Sequence, residues 1–217
     1  MNKPTGGGQS LDNSEGAGRK SPESLRDSPL LDPLRGIVRK GRAGVTRFLH
    51  PSRRRKVRSR LRELSPVDRV LVICFGNICR SPYGEARLAE LGGQGGVLKV
   101  RSAGLVGPGR PSPENAQSAA KKKGLDLSDH ISQLVTPEMV SWSEVIVVMD
   151  SGQARVMRGR FGAPPERIVI LGDLDPGSPD RREIPDPVER PESDFLRSYE
   201  RMDLCLHGLF EMTRGSS

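Results

Sequence analysis

Residues 70–82 read Val-Leu-Val-Ile-Cys-Phe-Gly-Asn-Ile-Cys-Arg-Ser-Pro, an apolar run that enters a turn and then a helix start. A β-type stretch ending at Cys74 delivers its thiol to the carboxyl end of a strand. Gly76 and Asn77 tolerate the tight, partly left-handed backbone of a loop. Ser81 is placed to cap, and Pro82 to open, the helix that follows. A loop that ends at a helix N-terminus converges backbone N–H groups and suits an anion. Arg80 adds a planar fork of donors matched to a phosphate oxyanion. A cysteine facing that positive field is favoured as the thiolate, the nucleophilic form. The segment reads as a phosphate cradle with a built-in nucleophile.

From Asp68 onward the chain alternates between two periods. Strands are predicted at 70–74, 97–101, 145–149 and 167–171, and helices at 82–91, 113–123, 137–141, 152–161 and 191–212. Strands that are near-continuous Val, Ile and Leu, separated by helices, predict an α/β fold with a small parallel sheet of about four strands covered on both faces. Ligands in such sheets sit beyond the carboxyl ends of the strands, where Cys74 and the phosphate-binding loop fall.

Cys74-Phe75-Gly76-Asn77-Ile78-Cys79-Arg80-Ser81-Pro82 resembles the signature of the low-molecular-weight protein tyrosine phosphatases. Arg101-Ser102-Ala103-Gly104, Val148-Met149-Asp150, Leu171-Gly172-Asp173 and Ile184-Pro185-Asp186-Pro187 follow in that family's order, so the resemblance covers about residues 67–215. It implies Cys74 as the nucleophile, Arg80 and the loop Phe75, Gly76, Asn77, Ile78, Cys79 as the phosphate cradle, and Asp186 as the general acid. On composition alone Asp186 competes with Asp173, Asp175, Asp180, Glu183 and Glu189 in a proline- and glycine-rich loop over 173–191; the Asp-Pro context singles it out. The resemblance also implies that Ser81 bonds the thiolate, that Asn77 braces the loop and that Ser102 joins Asn77. Cys79 is either a reversible disulfide partner for Cys74, as in the family, or a small buried filler. Asp150 reads as a strand-end or capping acid, and Cys205 as core among Met202, Leu204, Leu206 and Leu209.

Two departures bear on substrate. Relatives acting on phosphotyrosine usually carry aromatics after Asp-Pro and after Ser-Ala-Gly. Here Val188 holds the first position, and residues 105–112 hold no aromatic. Phe75 and Tyr83 are the candidates to compensate, and Ile78 fits the tyrosine branch better than the phosphoarginine branch.

The net charge of +8 divides unevenly. Residues 1–66 hold 16 Lys/Arg against 6 Asp/Glu, and residues 67–217 hold 19 against 21. Two domains are therefore expected: a disordered, basic extension over 1–66 and a catalytic domain over 67–217. Within the extension, residues 1–29 lack the apolar content to offset ordering entropy. A marginal amphipathic helix is expected from Asp32-Pro33 through Leu34, Ile37, Val38, Val45, Phe48 and Leu49, interrupted at Pro51. Such a segment suits a solvated linker, or docking to an anionic membrane or an acidic partner. Few aromatics interleave with its basic residues, which argues against specific nucleic-acid binding.

Three cysteines, two of them in one loop, make no extracellular disulfide framework. A working thiolate and the lack of any apolar run near the roughly 18–20 residues of a span favour a cytoplasmic protein. His50, His130 and His207 show no ligand spacing, so neither a metal nor a cofactor is expected. The expected activity is cysteine-dependent hydrolysis of phosphomonoesters, as a protein-tyrosine phosphatase acting through a cysteinyl-phosphate intermediate. Alternatives are a thiol-dependent arsenate reductase on the same fold, for which only Cys205 remains as a relay thiol, and a phosphate-binding protein without turnover.

Overall fold

The computed structural model describes residues 32–93, 98–177 and 179–214, with side chains from Gly41 and from residue 43 onward. The reading of 1–29 as disordered, and those of the Leu34, Ile37 and Val38 side chains and of Val97, fall outside these. The chain divides into two compact units, Met1–Arg39 and Lys40–Ser217.

Four parallel strands, β1 (Arg69–Cys74), β2 (Lys99–Gly104), β3 (Val145–Val148) and β4 (Ile168–Ile170), form one sheet in the order β2-β1-β3-β4. Helices α2 (Arg80–Gly92), α3 (Glu114–Lys122), α4 (Pro137–Trp142), α5 (Ser151–Phe161) and α6 (Glu192–Thr213) connect or follow them. Alternation along β1 sorts the core. Val70, Val72 and Cys74 face a large cluster with Leu88, Ala116, Tyr199, Met202 and Leu206, whereas Leu71 and Ile73 face a second with Val140, Ile146, Met157 and Ile168. Both faces of β1 are dry, as its unbroken apolar run requires. The α/β expectation holds, and predicted ends coincide or differ by at most three residues. β2 runs on to Gly104 because Val72, Ile73 and Cys74 extend its register partners to Ser102, Ala103 and Gly104.

The segment before the sheet departs from expectation. α1 (Asp32–Leu64) runs straight through Pro51. Proline costs about 3 kcal/mol inside a helix because it offers no N–H to the carbonyl four residues back. Contacts beyond it offset that cost: Val57 and Leu61 are buried in the large cluster, and His50 is buried just before the proline. Arg60 Nη1 also donates to the Pro165 carbonyl (2.9 Å). The compact unit Lys40–Ser217 includes this stretch, in which Val57, Leu61 and Leu64 recur at helical spacing after Pro51.

Candidate active site

β1 sits in the middle of the sheet, so its carboxyl end is flanked by those of β2 and β3. Cys74 is the last residue of β1, residues 75–79 form the loop, and Arg80 begins α2. Ser81 does not cap α2; the N-cap is Cys79, whose side chain makes no capping bond. The Ser81 hydroxyl is engaged elsewhere, 3.0 Å from Cys74 Sγ, and it accepts from Asn77 Nδ2 at 2.8 Å. The Asn77 backbone N–H donates to Cys74 Sγ at 3.2 Å. The sulfur is thus held between the Ser81 hydroxyl and the loop backbone.

Asn77 holds the loop together. Its φ of 51° lies in the left-handed region that asparagine tolerates better than most residues. Its side chain is fully buried, with Nδ2 also donating to Ser102 Oγ (2.8 Å) and Oδ1 accepting from the Gln133 N–H (2.9 Å). Its carbonyl lies 2.7 Å from His130 Nε2. Ser102 in turn donates to Glu85 Oε2 at 2.6 Å. Burial pushes the Glu85 carboxyl above its ordinary range, against the smaller opposing effect of the Ser102 hydroxyl. Gly104 ends β2 where any Cβ would lie 3.0 Å from the Asn77 backbone, so the glycine of Ser-Ala-Gly lets the loop rest on the sheet.

Arg80 is 4% exposed. Its Nη1 donates to the Ile184 carbonyl (3.0 Å), and its Nη2 pairs with the Asp186 carboxylate. Its Nε is buried without a hydrogen-bond partner, a donor left over for a ligand. Asp186 is held by Ile184, which is buried and donates its N–H to the Met149 carbonyl (2.9 Å). Cys74, Arg80, Asp186, Asn77, Ser81 and Ser102 thus converge. Gly76 takes part through its carbonyl, which accepts from Arg110 Nη2 at 3.3 Å. Ile78 is half-buried and packs on the large cluster.

Cys79 is buried beside this centre. Burial, with the charges of Asp186 and Cys74 behind it, pushes its thiol up to about 12. It therefore stays protonated at neutral pH. Its carbonyl accepts from Tyr199 Oη (3.1 Å).

Tyr83 does not compensate for the missing aromatics. It is fully buried, its ring stacks on Tyr199 with centroids 3.7 Å apart, and its hydroxyl donates to Asp203 (2.7 Å). Phe75 is 56% exposed, and its carbonyl accepts from the N–H groups of Leu105 and Val106. Exposed Phe75 and Val106 are therefore neighbours beside the cradle, and Val188 is exposed two residues beyond Asp186. Asp150 caps α5 by accepting from the Gln153 N–H (2.8 Å), and Cys205 is buried in the core, both as the sequence suggested.

Glu85, His130, Gln133 and Arg110 escaped the sequence reading. Glu85 lies four residues after Ser81 on α2, a spacing that could have drawn attention to it. The other three come from the segments between β2 and α4, and nothing local to them announces a partner near Asn77.

The model of the family "Low molecular weight phosphotyrosine protein phosphatase" matches residues 69–215. The probable low molecular weight protein-tyrosine-phosphatase EpsP of Ralstonia nicotianae is 32% identical over 136 residues, 62% of this chain and 88% of the relative. The low molecular weight phosphotyrosine protein phosphatase of Homo sapiens is 30% identical over 150 residues, 65% and 93% respectively. Among solved structures, Vibrio vulnificus Wzb in complex with benzylphosphonate superposes with a TM-score of 0.60 at 27% identity, covering 67% of this chain and 98% of that one. The YwlE arginine phosphatase of Geobacillus stearothermophilus superposes with 0.59 at 26% identity, covering 66% and 91%.

Proposed function

The chain belongs to the low molecular weight phosphotyrosine protein phosphatases and is a phosphoric monoester hydrolase, and on that premise we propose that it cleaves phosphotyrosine in proteins with Cys74 as nucleophile, Arg80 as oxyanion holder and Asp186 as acid and base. The observation that carries this reading is the meeting of those three side chains, brought together from β1, α2 and the loop before α6.

The thiolate of Cys74 attacks phosphorus in line as the aryl oxygen leaves, so a sulfur–phosphorus bond forms while the ester bond breaks. Loop N–H groups and the Arg80 fork hold the equatorial oxygens, where charge must be balanced in the transition state. Asp186 gives its proton to the leaving oxygen. It then takes one from the water that attacks the cysteinyl-phosphate, which releases phosphate and restores the thiolate. The pairing of Asp186 with Arg80 keeps the acid beside the cradle while no ester occupies it.

Tyrosine as the substrate side chain is supported by the relatives' names and by the exposed Phe75 ring beside the cradle. The arginine phosphatase among the structural neighbours supplies the competing specificity. Cys74→Ser should abolish turnover of a phosphotyrosine peptide while inorganic phosphate still binds, because the cradle does not depend on sulfur. Substantial residual turnover would contradict the mechanism, and faster turnover of a phosphoarginine peptide than of its phosphotyrosine counterpart by the wild type would reassign the substrate.

No helix among the described residues is long and apolar enough to cross a membrane. A reducing compartment, the cytoplasm, suits the thiolate. The exposed Val45, Phe48 and Leu49 on arginine-rich α1 support peripheral docking to an anionic surface. Binding of the full chain to anionic vesicles, lost as salt rises, tests that placement.

A further inference from the structure

α1 lies before the residues that match the family, yet it touches the loop on which Asp186 sits. His50 is almost fully buried, and its Nε2 lies 2.8 Å from the Asp175 carbonyl. Its Nδ1 is buried with no partner, so this position bears an unsatisfied polar atom that a leucine would avoid. One turn earlier on α1, Arg47 pairs with Asp180 in the same loop.

Asp175 opens the loop just after the 3-10 turn Leu171–Leu174 that follows β4, and it is tied in three directions. Its Oδ1 accepts from the Gly177 N–H (2.9 Å), its Oδ2 from Arg201 Nε (2.7 Å), and its carbonyl faces His50. Arg201, on α6, spends its other nitrogens on the far part of the loop. Nη1 donates to the Glu183 carbonyl and Nη2 to the Arg181 carbonyl, both at 2.7 Å. The next residue, Ile184, gives its carbonyl to Arg80. Hydrogen bonds and the Glu183–Ile184 step therefore run from His50 through Asp175 and Arg201 to the Arg80–Asp186 pair. Nothing in this chain requires the Val57 and Leu61 seat, which lies two to three turns further along α1.

We propose that α1 braces the general-acid loop, with His50 as a positioning residue that acts on Asp186 through Asp175 and Arg201. The brace holds the loop in the register that puts Asp186 over the cradle. A shift confined to the His50 end of α1, with Val57 and Leu61 still seated, would leave the cradle intact and displace the acid, so that end of α1 offers a handle on proton donation. The proposal rests on Asp186 being the general acid. A misplacement of about 1 Å at a reacting group can cost on the order of a hundredfold.

The test compares kcat/KM for phenyl phosphate, a poor leaving group, with that for p-nitrophenyl phosphate, a good one, in the full chain. Both values come from one preparation, so their ratio does not depend on the folded fraction. His50→Leu is expected to widen the gap between the substrates by roughly tenfold or more. His50→Gln, which keeps a donor near the Asp175 carbonyl, should restore much of the loss. Arg47→Glu, an exposed position away from the core, should widen the gap in the same direction. Val57→Ala should lower the thermal midpoint and leave the ratio alone. Unchanged ratios in both His50→Leu and Arg47→Glu, with a widened gap in Asp186→Asn, would overturn the brace and leave the acid in place. An unchanged ratio in Asp186→Asn would overturn both.

Discussion

The Asp186 carboxylate is paired with the Arg80 guanidinium, so the proposed acid and the proposed oxyanion holder occupy each other's charge. An incoming phosphate ester must displace that carboxylate from Arg80, and Asp186, once released and protonated, can give its proton to the leaving ester oxygen. Asp186→Asn removes the competitor, so inorganic phosphate should bind more tightly to this variant while poor leaving groups are cleaved on the order of 10²–10⁴-fold more slowly. Calorimetric titration with phosphate checks the first part. Weaker binding would mean that Asp186 supports the cradle rather than competing for it.

Aromatic recognition falls to Phe75. Phe75→Ala should raise KM for a phosphotyrosine peptide several-fold, in keeping with the ~0.5–1.5 kcal/mol typical of an aromatic pair. Tyr83→Phe should leave KM unchanged, because that ring is stacked on Tyr199 and closed to solvent. Steady-state kinetics on one peptide decides between them, and a reversed pattern would move the substrate ring to the other side of the cradle.

The compact unit places a limit on truncation. A chain beginning at Lys40 keeps His50, Val57 and Leu61, and should match the full chain in midpoint and turnover. A chain beginning at residue 67 loses two core aliphatics; single truncations of that kind cost about 2–5 kcal/mol. Its urea midpoint should fall sharply. Equal midpoints for the two chains would show that α1 is dispensable to the fold.

Two buried thiols set an alkaline limit. Burial pushes both Cys79 and Cys205 from the ordinary 9.0 up to about 12. Burial also raises Tyr83 and Tyr199. Such groups ionise in the unfolded chain first, so their contribution is full below about pH 9 and is lost as pH climbs towards about 12, by roughly 1.4 kcal/mol per pH unit for each thiol. Urea unfolding from about pH 8 to pH 10 should show stability falling, and Cys205→Ala should flatten the slope. Near neutral pH, iodoacetamide should label Cys74 and spare both.

The legible parts of this molecule are those whose physics is local. Residues 70–82 carry a strand, a turn and a helix start within one window, and Cys74, Arg80 and Asn77 stand where that window implies. Ser81 shows the limit even there: its type suits a cap, but the nearby sulfur takes its hydroxyl. Asp186 needed the Asp-Pro resemblance, because five other acids share its loop. Tyr83 was misjudged since stacking with Tyr199 joins residues 116 positions apart. α1 was misjudged for a related reason. Pro51 and the scattered glycines speak against a helix locally, and only the sheet-side pocket for Val57 and Leu61, with the Asp175 carbonyl facing His50, overrides them.

The central claim is that the phosphoryl group passes through the Cys74 sulfur. Full-length enzyme mixed with p-nitrophenyl phosphate, quenched in acid within a turnover and digested, should yield one phosphorylated peptide, with phosphorus on Cys74 and absent in Cys74→Ala. A phosphoryl group on any other residue, or turnover that persists in Cys74→Ala, would contradict it.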